Sequence, residues 1–169
     1  MTRIAIAGMA GHVFFELAAG VGMPLASLVG ARGAAVGWAV GTRTAWRAAG
    51  RRGYAETAFA ALNTMSLAAV IAHLAGWPRR YTRARLPWLR DCEGLGPEMM
   101  PFYNPILYVS GAAALGALLT ENRRAPHGLP LLTVPLVPVL IAAQHCEHRR
   151  LTRIAAERPG WWNRRLRRG

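Results

Sequence analysis

The stretch IAIAGMAGHVFFELAAGVGMPLASLV, residues 4–29, is apolar along its length except for a few polar positions, among them the two ionisable residues His12 and Glu16. A helix that crosses the hydrocarbon core of a bilayer, about 30 Å thick, needs roughly 20 consecutive apolar residues. The stretch is long enough to meet this requirement. It therefore predicts a transmembrane helix and indicates an integral membrane protein.

Three further apolar runs follow the first, and most of the charged residues lie between them. They cover residues 55–77, 102–119 and 129–144. The composition, with 53% hydrophobic and 17% charged residues, is too apolar for an ordinary small soluble protein. The four runs predict one all-α domain over residues 1–169, an integral membrane bundle of about four transmembrane helices.

The basic residues predict the orientation of this bundle. All 21 are arginine. On a four-span topology, 14 fall on the side that holds both termini and 7 on the other, which places both termini in the cytoplasm by the positive-inside rule. Residues 31–53 leave an alternative open, because they could form an amphipathic helix on the outer surface or a re-entrant segment.

Residues 145–169 are predicted to form a basic cytoplasmic tail. Its end, WWNRRLRRG, mixes tryptophan with arginine, and no zinc-finger, RRM or helix-turn-helix pattern accompanies it. Aromatic rings beside clustered arginines are typical of an interfacial anchor. We expect the tail to bind anionic lipid headgroups, and we expect no nucleic-acid partner.

The two ionisable residues of the first run lie on one face of the predicted helix. Gly8, His12, Glu16 and Gly20 follow one another at four-residue spacing. At a rise of about 1.5 Å per residue, His12 and Glu16 straddle the bilayer midplane, where ionisable groups usually face a bundle interior. They either fix the bundle through hydrogen bonds between helices or line a functional pocket.

The functional alternative predicts proton transfer on an apolar substrate, with His12 and Glu16 as the catalytic acid and base. If successive spans alternate in direction, Asn63 near the middle of the second span and Tyr108 near the middle of the third reach the same depth and are predicted to bind the substrate. The substrate class is a lipid or an isoprenoid-like molecule. A buried histidine and glutamate one turn apart are similar to the acid and base groups of sterol-isomerase-type membrane proteins with four helices, a resemblance of two residues.

A second function remains open from the sequence, that of a non-enzymatic accessory subunit that stabilises or positions a larger membrane complex. Small residues at four-residue spacing in the second span would provide its docking face. The cluster HCEH at residues 145–148 has no known zinc-site spacing, so we expect no metal and no cofactor.

Overall fold

The computed structural model describes residues 1–49 and 56–167. These residues form six α-helices, a two-stranded antiparallel hairpin and a short 3₁₀ helix near the end of the chain. In order they are α1 (Thr2–Ala19), α2 (Ala26–Ala48), α3 (Glu56–Gly76), β1 (Arg79–Tyr81), β2 (Pro87–Leu89), α4 (Met100–Thr120), α5 (Gly128–Leu131), α6 (Thr133–Glu157) and the 3₁₀ helix Trp161–Arg167.

The all-α class is confirmed for the described residues, apart from the small hairpin. Three helical segments are long and apolar enough to cross a membrane: α3, α4 and residues 128–157, which contain α5 and α6. The first two coincide with the predicted runs 55–77 and 102–119. The fourth run is only the first half of a longer helical segment, since α6 continues to Glu157. These three helices are consistent with a membrane protein.

The first apolar run forms two helices rather than the single helix expected over residues 4–29. Helix α1 ends at Ala19, and Gly20 follows in the left-handed conformation, with its N–H bonded to the carbonyls of Glu16 and Leu17. Gly22 also has positive φ, a conformation that glycine adopts without steric cost, and Pro24 precedes the start of α2. Hydropathy missed this turn because glycine, methionine and proline do not interrupt an apolar run.

Helix α2 runs back along α1, and this reverses the direction expected for α3. Arg3 lies over the ring of Trp46, 5.4 Å from its centroid, so the end of α2 returns to the start of α1. Asn63 of α3 then meets Thr2 through a hydrogen bond of 3.1 Å. Helix α3 is therefore parallel to α1, not antiparallel. Of the undecided stretch 31–53, the part up to residue 48 belongs to α2, and residues 50–53 lie outside the described residues.

The two ends of the bundle can be identified by the residues that they hold. At one of them, called the Thr2 end, Asn63 and Glu121 both bond to Thr2. The other, called the hairpin end, holds the C-terminal ends of α1 and α3, the start of α4 and the β-hairpin. The largest apolar core lies towards the hairpin end and includes Val13, Leu17, Leu89, Leu107 and Leu151.

Residues 158–167 fold back onto α1 and do not extend from the bundle as the predicted tail does. Arg164 Nη2 donates to the Ala18 carbonyl at 2.8 Å, and Arg165 Nε donates to the Ala19 carbonyl at 3.1 Å. Cations are favourable at a helix C-terminus, where the last carbonyls lack partners within the helix. Thr2 and these arginines consequently lie at opposite ends of the bundle.

A substitution at Gly8 tests the close packing of α1 against α4. A Cβ atom at this position would lie 2.8 Å from the Ser110 Cβ and 2.9 Å from its Cα, so the two backbones would have to separate. We expect Gly8→Ala to lower the free energy of unfolding by roughly 1–3 kcal/mol, as overpacking does. Thermal unfolding in detergent measures this. Gly128→Ala is the control, because a Cβ there meets nothing within 4 Å, and an equal loss in both variants would contradict the close contact.

Candidate functional site

His12 and Glu16 point into the bundle, as their position in the apolar run predicted. Their side chains meet others from α3 and α4, and both residues are buried, with exposed fractions of 3% and 1%. The Tyr103 hydroxyl donates a hydrogen bond to Glu16 Oε1. His73 Nε2 lies 3.8 Å from the same oxygen. Glu16 is thus the centre of a buried cluster to which three helices contribute.

Three aromatic rings enclose this carboxylate. The ring centroids of His12 and His73 are 5.3 Å apart, and those of His12 and Tyr103 are 6.4 Å apart. The rings of His73 and Tyr103 also meet edge-on, with centroids 6.2 Å apart. Edge-to-face contacts of this kind are favourable and hold each ring in one orientation. The ring nitrogens therefore have fixed positions relative to Glu16.

The orientation of His73 is set by its own helix. Its Nδ1 lies 2.8 Å from the Ala69 carbonyl, one turn earlier in α3, which makes Nδ1 the protonated nitrogen. The side-chain amide of Gln144 on α6 lies 2.9 Å from the same nitrogen, and a protonated Nδ1 requires the amide oxygen, which accepts, to face it there. Nε2 is then the nitrogen that faces the carboxylates.

A second carboxylate reaches the cluster from the loop between β2 and α4. Glu93 Oε1 lies 3.9 Å from His73 Nε2, and the Glu93 side chain is 16% exposed. Burial, followed by the nearby Glu16 carboxylate, raises the pKa of Glu93 to about 8. The backbone of Glu93 has φ of 52°, which is uncommon outside glycine and costs energy that the surrounding contacts must offset. The loop is therefore held in the conformation that brings this carboxylate to His73.

Cys92 precedes Glu93 and is fully buried. Burial, and then the charge of Glu93, raises the pKa of its thiol well above the ordinary value. A neutral thiol in this position is a poor nucleophile. Ligand atoms of His73, Cys92 and Glu93 lie within 4.8 Å of one another, as do those of His12, Glu16 and His73. Two sets of metal-ligand types thus share His73.

The hairpin that carries this loop is anchored by Asn104. Its Oδ1 accepts from the Leu89 N–H at 2.9 Å, and its Nδ2 donates to the carbonyls of Leu89 and Met100 at 3.2 and 3.0 Å. Tyr108 donates to the carbonyl of Pro87 in the same hairpin. These side chains replace the strand partners that an edge strand lacks.

The other two predicted site residues do not join the cluster. Asn63 lies at the Thr2 end, bonded to Thr2 and to Asn122. Tyr108 contacts the hairpin instead. Both were expected at the level of His12 and Glu16 because successive spans were assumed to alternate in direction, and the parallel arrangement of α1 and α3 brings His73 there instead of Asn63.

His73 could have been predicted as a site residue from the sequence, because it is an ionisable side chain inside the predicted run 55–77. The argument that singled out His12 applies to it equally. The other histidine pair, His145 and His148, packs its rings on Trp77, with centroids 4.5 and 5.4 Å away, and His145 Nε2 lies 3.1 Å from the Gly76 carbonyl.

A groove between α1, α2 and α3, called the lateral groove, lies on the Thr2 side of the cluster, and none of the cluster residues lines it. Its volume is about 610 Å³, and its walls are almost entirely apolar. Met9, which lines it, lies one helical turn before His12 on α1, and Asn63 lines it through α3. Apolar lining with a few polar groups is typical of small-molecule sites.

The chemistry available here combines a buried carboxylate, two imidazole rings, a phenol and a second carboxylate of raised pKa. Groups of these types exchange protons readily when they share hydrogen bonds away from water. Imidazole and carboxylate groups are also ligands for divalent metals. In comparisons with known proteins, no protein-family model, no curated protein and no solved structure matches this chain.

Proposed function

We propose that this chain is a small multi-pass membrane protein that binds a lipid or isoprenoid-like molecule in the lateral groove and transfers a proton on it through His12 and Glu16. The observation that carries the proposal is the apolar groove whose wall reaches Met9, one turn from His12. A buried acid and base pair beside an apolar groove suits a substrate that has few polar groups.

Asn63 keeps a role in this proposal, at a different place from the one first predicted. It lines the lateral groove at the Thr2 end, and its Oδ1 has no hydrogen-bond partner among the described residues. A buried amide oxygen without a partner costs free energy, which a hydroxyl group on a bound molecule would recover. The polar end of an amphiphile would then lie at Asn63 and its apolar chain along α2.

The proposed orientation in the membrane follows from the arginines. The hairpin and residues 149–167 place most of the described arginines at the hairpin end, whereas Arg3, Arg43, Arg47, Arg123 and Arg124 lie towards the Thr2 end. With α1, α2, α3, α4 and α6 as five crossings of the membrane, the positive-inside rule puts the hairpin end in the cytoplasm. Exposed Trp161 and its neighbouring arginines would contact anionic headgroups there. The expected common side for both termini does not fit this geometry.

Cysteine labelling tests the orientation. In a background with Cys92 and Cys146 replaced by serine, Arg124→Cys should react with an impermeant thiol reagent from outside intact cells. Arg153→Cys, which is exposed at the hairpin end, should react only after permeabilisation. Labelling of Arg153→Cys in intact cells would reverse the proposed orientation.

Gly37→Leu tests the groove itself. Gly37 lines it, and a Cβ there meets nothing within 4 Å, so a leucine side chain can fill the groove without a clash in the backbone. We expect the lipid that is retained by the purified protein, measured by mass spectrometry, to fall at least about tenfold. That corresponds to roughly 1.4 kcal/mol of binding free energy. Val36→Leu is the control, since Val36 is exposed and does not line the groove. Equal lipid content in both variants would contradict lipid binding in the groove.

The accessory-subunit function is favoured by one feature of the same groove. Gly33, Gly37 and Gly41 form a row at four-residue spacing along α2, and all three line the groove. Rows of small residues allow a helix of a partner protein to approach closely. On this alternative, a partner membrane protein that co-purifies with the chain would no longer do so in Gly37→Leu, and the lipid content would be unchanged. This result distinguishes the two functions.

A further inference from the structure

The lone pair of His73 Nε2 faces the oxygen atoms of two carboxyl groups. Because Nδ1 donates to the Ala69 carbonyl at 2.8 Å, Nε2 of the neutral ring presents a lone pair. It faces Glu16 Oε1 at 3.8 Å and Glu93 Oε1 at 3.9 Å. Among the described residues, no arginine lies within 4 Å of either carboxylate. A positive charge between the three atoms would stabilise this arrangement.

The distances decide which positive charge fits. A proton shared between an imidazole and a carboxylate gives a separation of about 2.7–2.9 Å, so 3.8 and 3.9 Å are too long for such hydrogen bonds. A tetrahedral metal ion with bonds of about 2.0–2.1 Å separates its ligand atoms by roughly 3.4 Å. The observed gaps are thus closer to those of metal ligands than to those of a hydrogen bond.

A third side chain completes a ligand set from an independent direction. His12 is buried, its ligand atom lies within 4.8 Å of those of Glu16 and His73, and its Nδ1 has no hydrogen-bond partner in the part of the chain that the structure describes. An unpartnered buried nitrogen is costly, and coordination would satisfy it. The three ligands come from α1 and α3, which are rigid elements.

We infer that His12, Glu16 and His73 bind one divalent first-row transition-metal ion. Two imidazole nitrogens beside carboxylate oxygens suit Zn²⁺, Fe²⁺ or Co²⁺ better than Ca²⁺ or Mg²⁺, which prefer oxygen ligands alone. The surrounding hydrogen bonds agree with this assignment. The Ala69 carbonyl fixes the ring of His73 and the Tyr103 hydroxyl holds Glu16, as partners of metal ligands commonly do.

The inference goes beyond the proposed function, because the ion would bind whether the lateral groove takes a lipid or a helix of a partner. Where both hold, His12 and Glu16 would hold the ion, and the ion would supply a Lewis acid one helical turn from the groove. The rival explanation is a protonated His73 that pairs with both carboxylates and leaves no place for a metal.

Cobalt titration separates these explanations. The full chain, purified in detergent with an affinity tag free of histidine and stripped with EDTA, is titrated with Co²⁺ and followed by its visible absorption. We expect bands of a four- or five-coordinate ion that saturate at one equivalent, that Zn²⁺ displaces, and that accompany a rise in the melting temperature. Absence of these bands in the unsubstituted protein would overturn the inference.

Substitutions locate the ion. Loss of a side chain that hydrogen-bonds to a metal ligand typically lowers metal affinity 10–100-fold. His73→Gln and Glu16→Gln remove a ligand itself, so we expect them to weaken Co²⁺ binding by about 100-fold or more. His127→Gln, an exposed residue next to α5, is the matched control and should bind normally. Bands lost in His148→Gln and retained in His73→Gln would place the ion at the other histidine pair and overturn the inference. Gly37→Leu should retain its cobalt, so loss of lipid and loss of metal are separate results.

Discussion

Replacing Glu16 with alanine is expected to lower the free energy of unfolding by roughly 3–5 kcal/mol, the cost of removing one partner of a buried ionic pair. The change leaves the Tyr103 hydroxyl buried without its acceptor and removes the carboxylate that faces His73. Thermal unfolding in detergent measures it, with Glu157→Ala at an exposed position of α6 as the control. A loss in Glu16→Ala no larger than that of the control would contradict the central position of Glu16.

Glu16→Gln separates stability from chemistry. Glutamine keeps an acceptor for Tyr103 and nearly the same shape, so the protein should fold with a much smaller loss than the alanine variant. Proton transfer requires the carboxylate, and the variant should therefore fail to complement a deletion strain. Glu121→Gln is the matched control, because Glu121 bonds to Thr2 at the far end of the bundle. Full complementation by Glu16→Gln would contradict the acid and base role and favour the accessory subunit.

Asn104→Ala is expected to cost roughly 2–4 kcal/mol, because it leaves the backbone N–H and carbonyl of Leu89 without partners in a buried site. The hairpin and the loop that carries Glu93 should loosen together. Limited proteolysis should then cut within residues 79–95 faster than in the unsubstituted protein, in parallel with a lower melting temperature.

Two further variants serve as controls for Asn104→Ala. Asn104→Asp keeps the acceptor for the Leu89 N–H and loses both donated bonds, so its loss of stability should lie between those of the alanine variant and the unsubstituted protein. Leu119→Ala, at an exposed position of the same helix, should have little effect. Unchanged proteolysis of the hairpin in Asn104→Ala would show that other contacts hold it.

Hydropathy and burial logic predicted a substantial part of this structure. Apolar runs gave α3 and α4 to within a few residues, and the presence of ionisable groups in an apolar run predicted that His12 and Glu16 face inwards. Both predictions rest on one physical fact, that a charged or polar group in an apolar helix must find partners within the protein. That fact does not depend on how the helices are connected.

The direction of each helix does depend on the connections, and there the prediction failed. The turn from Gly20 to Leu25 consists of residues that hydropathy counts as apolar, so residues 31–53 were considered only as a surface helix or a re-entrant segment, and α3 was given the wrong direction. Every residue matched by depth along α3 was then misplaced, Asn63 among them. Glu93 could not have been found by spacing, since a positive φ and the contacts of a hairpin bring it to His73.

The bonds from Arg164 and Arg165 to the end of α1 join residues 146 positions apart in the chain. At a synthesis rate of about 5–20 residues per second, the carbonyls of Ala18 and Ala19 wait roughly 7–30 s before the arginines that cap them have been made. The end of α1 thus forms its last contacts only after the rest of the bundle has been synthesised. A chain that lacks residues 158–167 leaves the same two carbonyls without these arginines, as a nascent chain does.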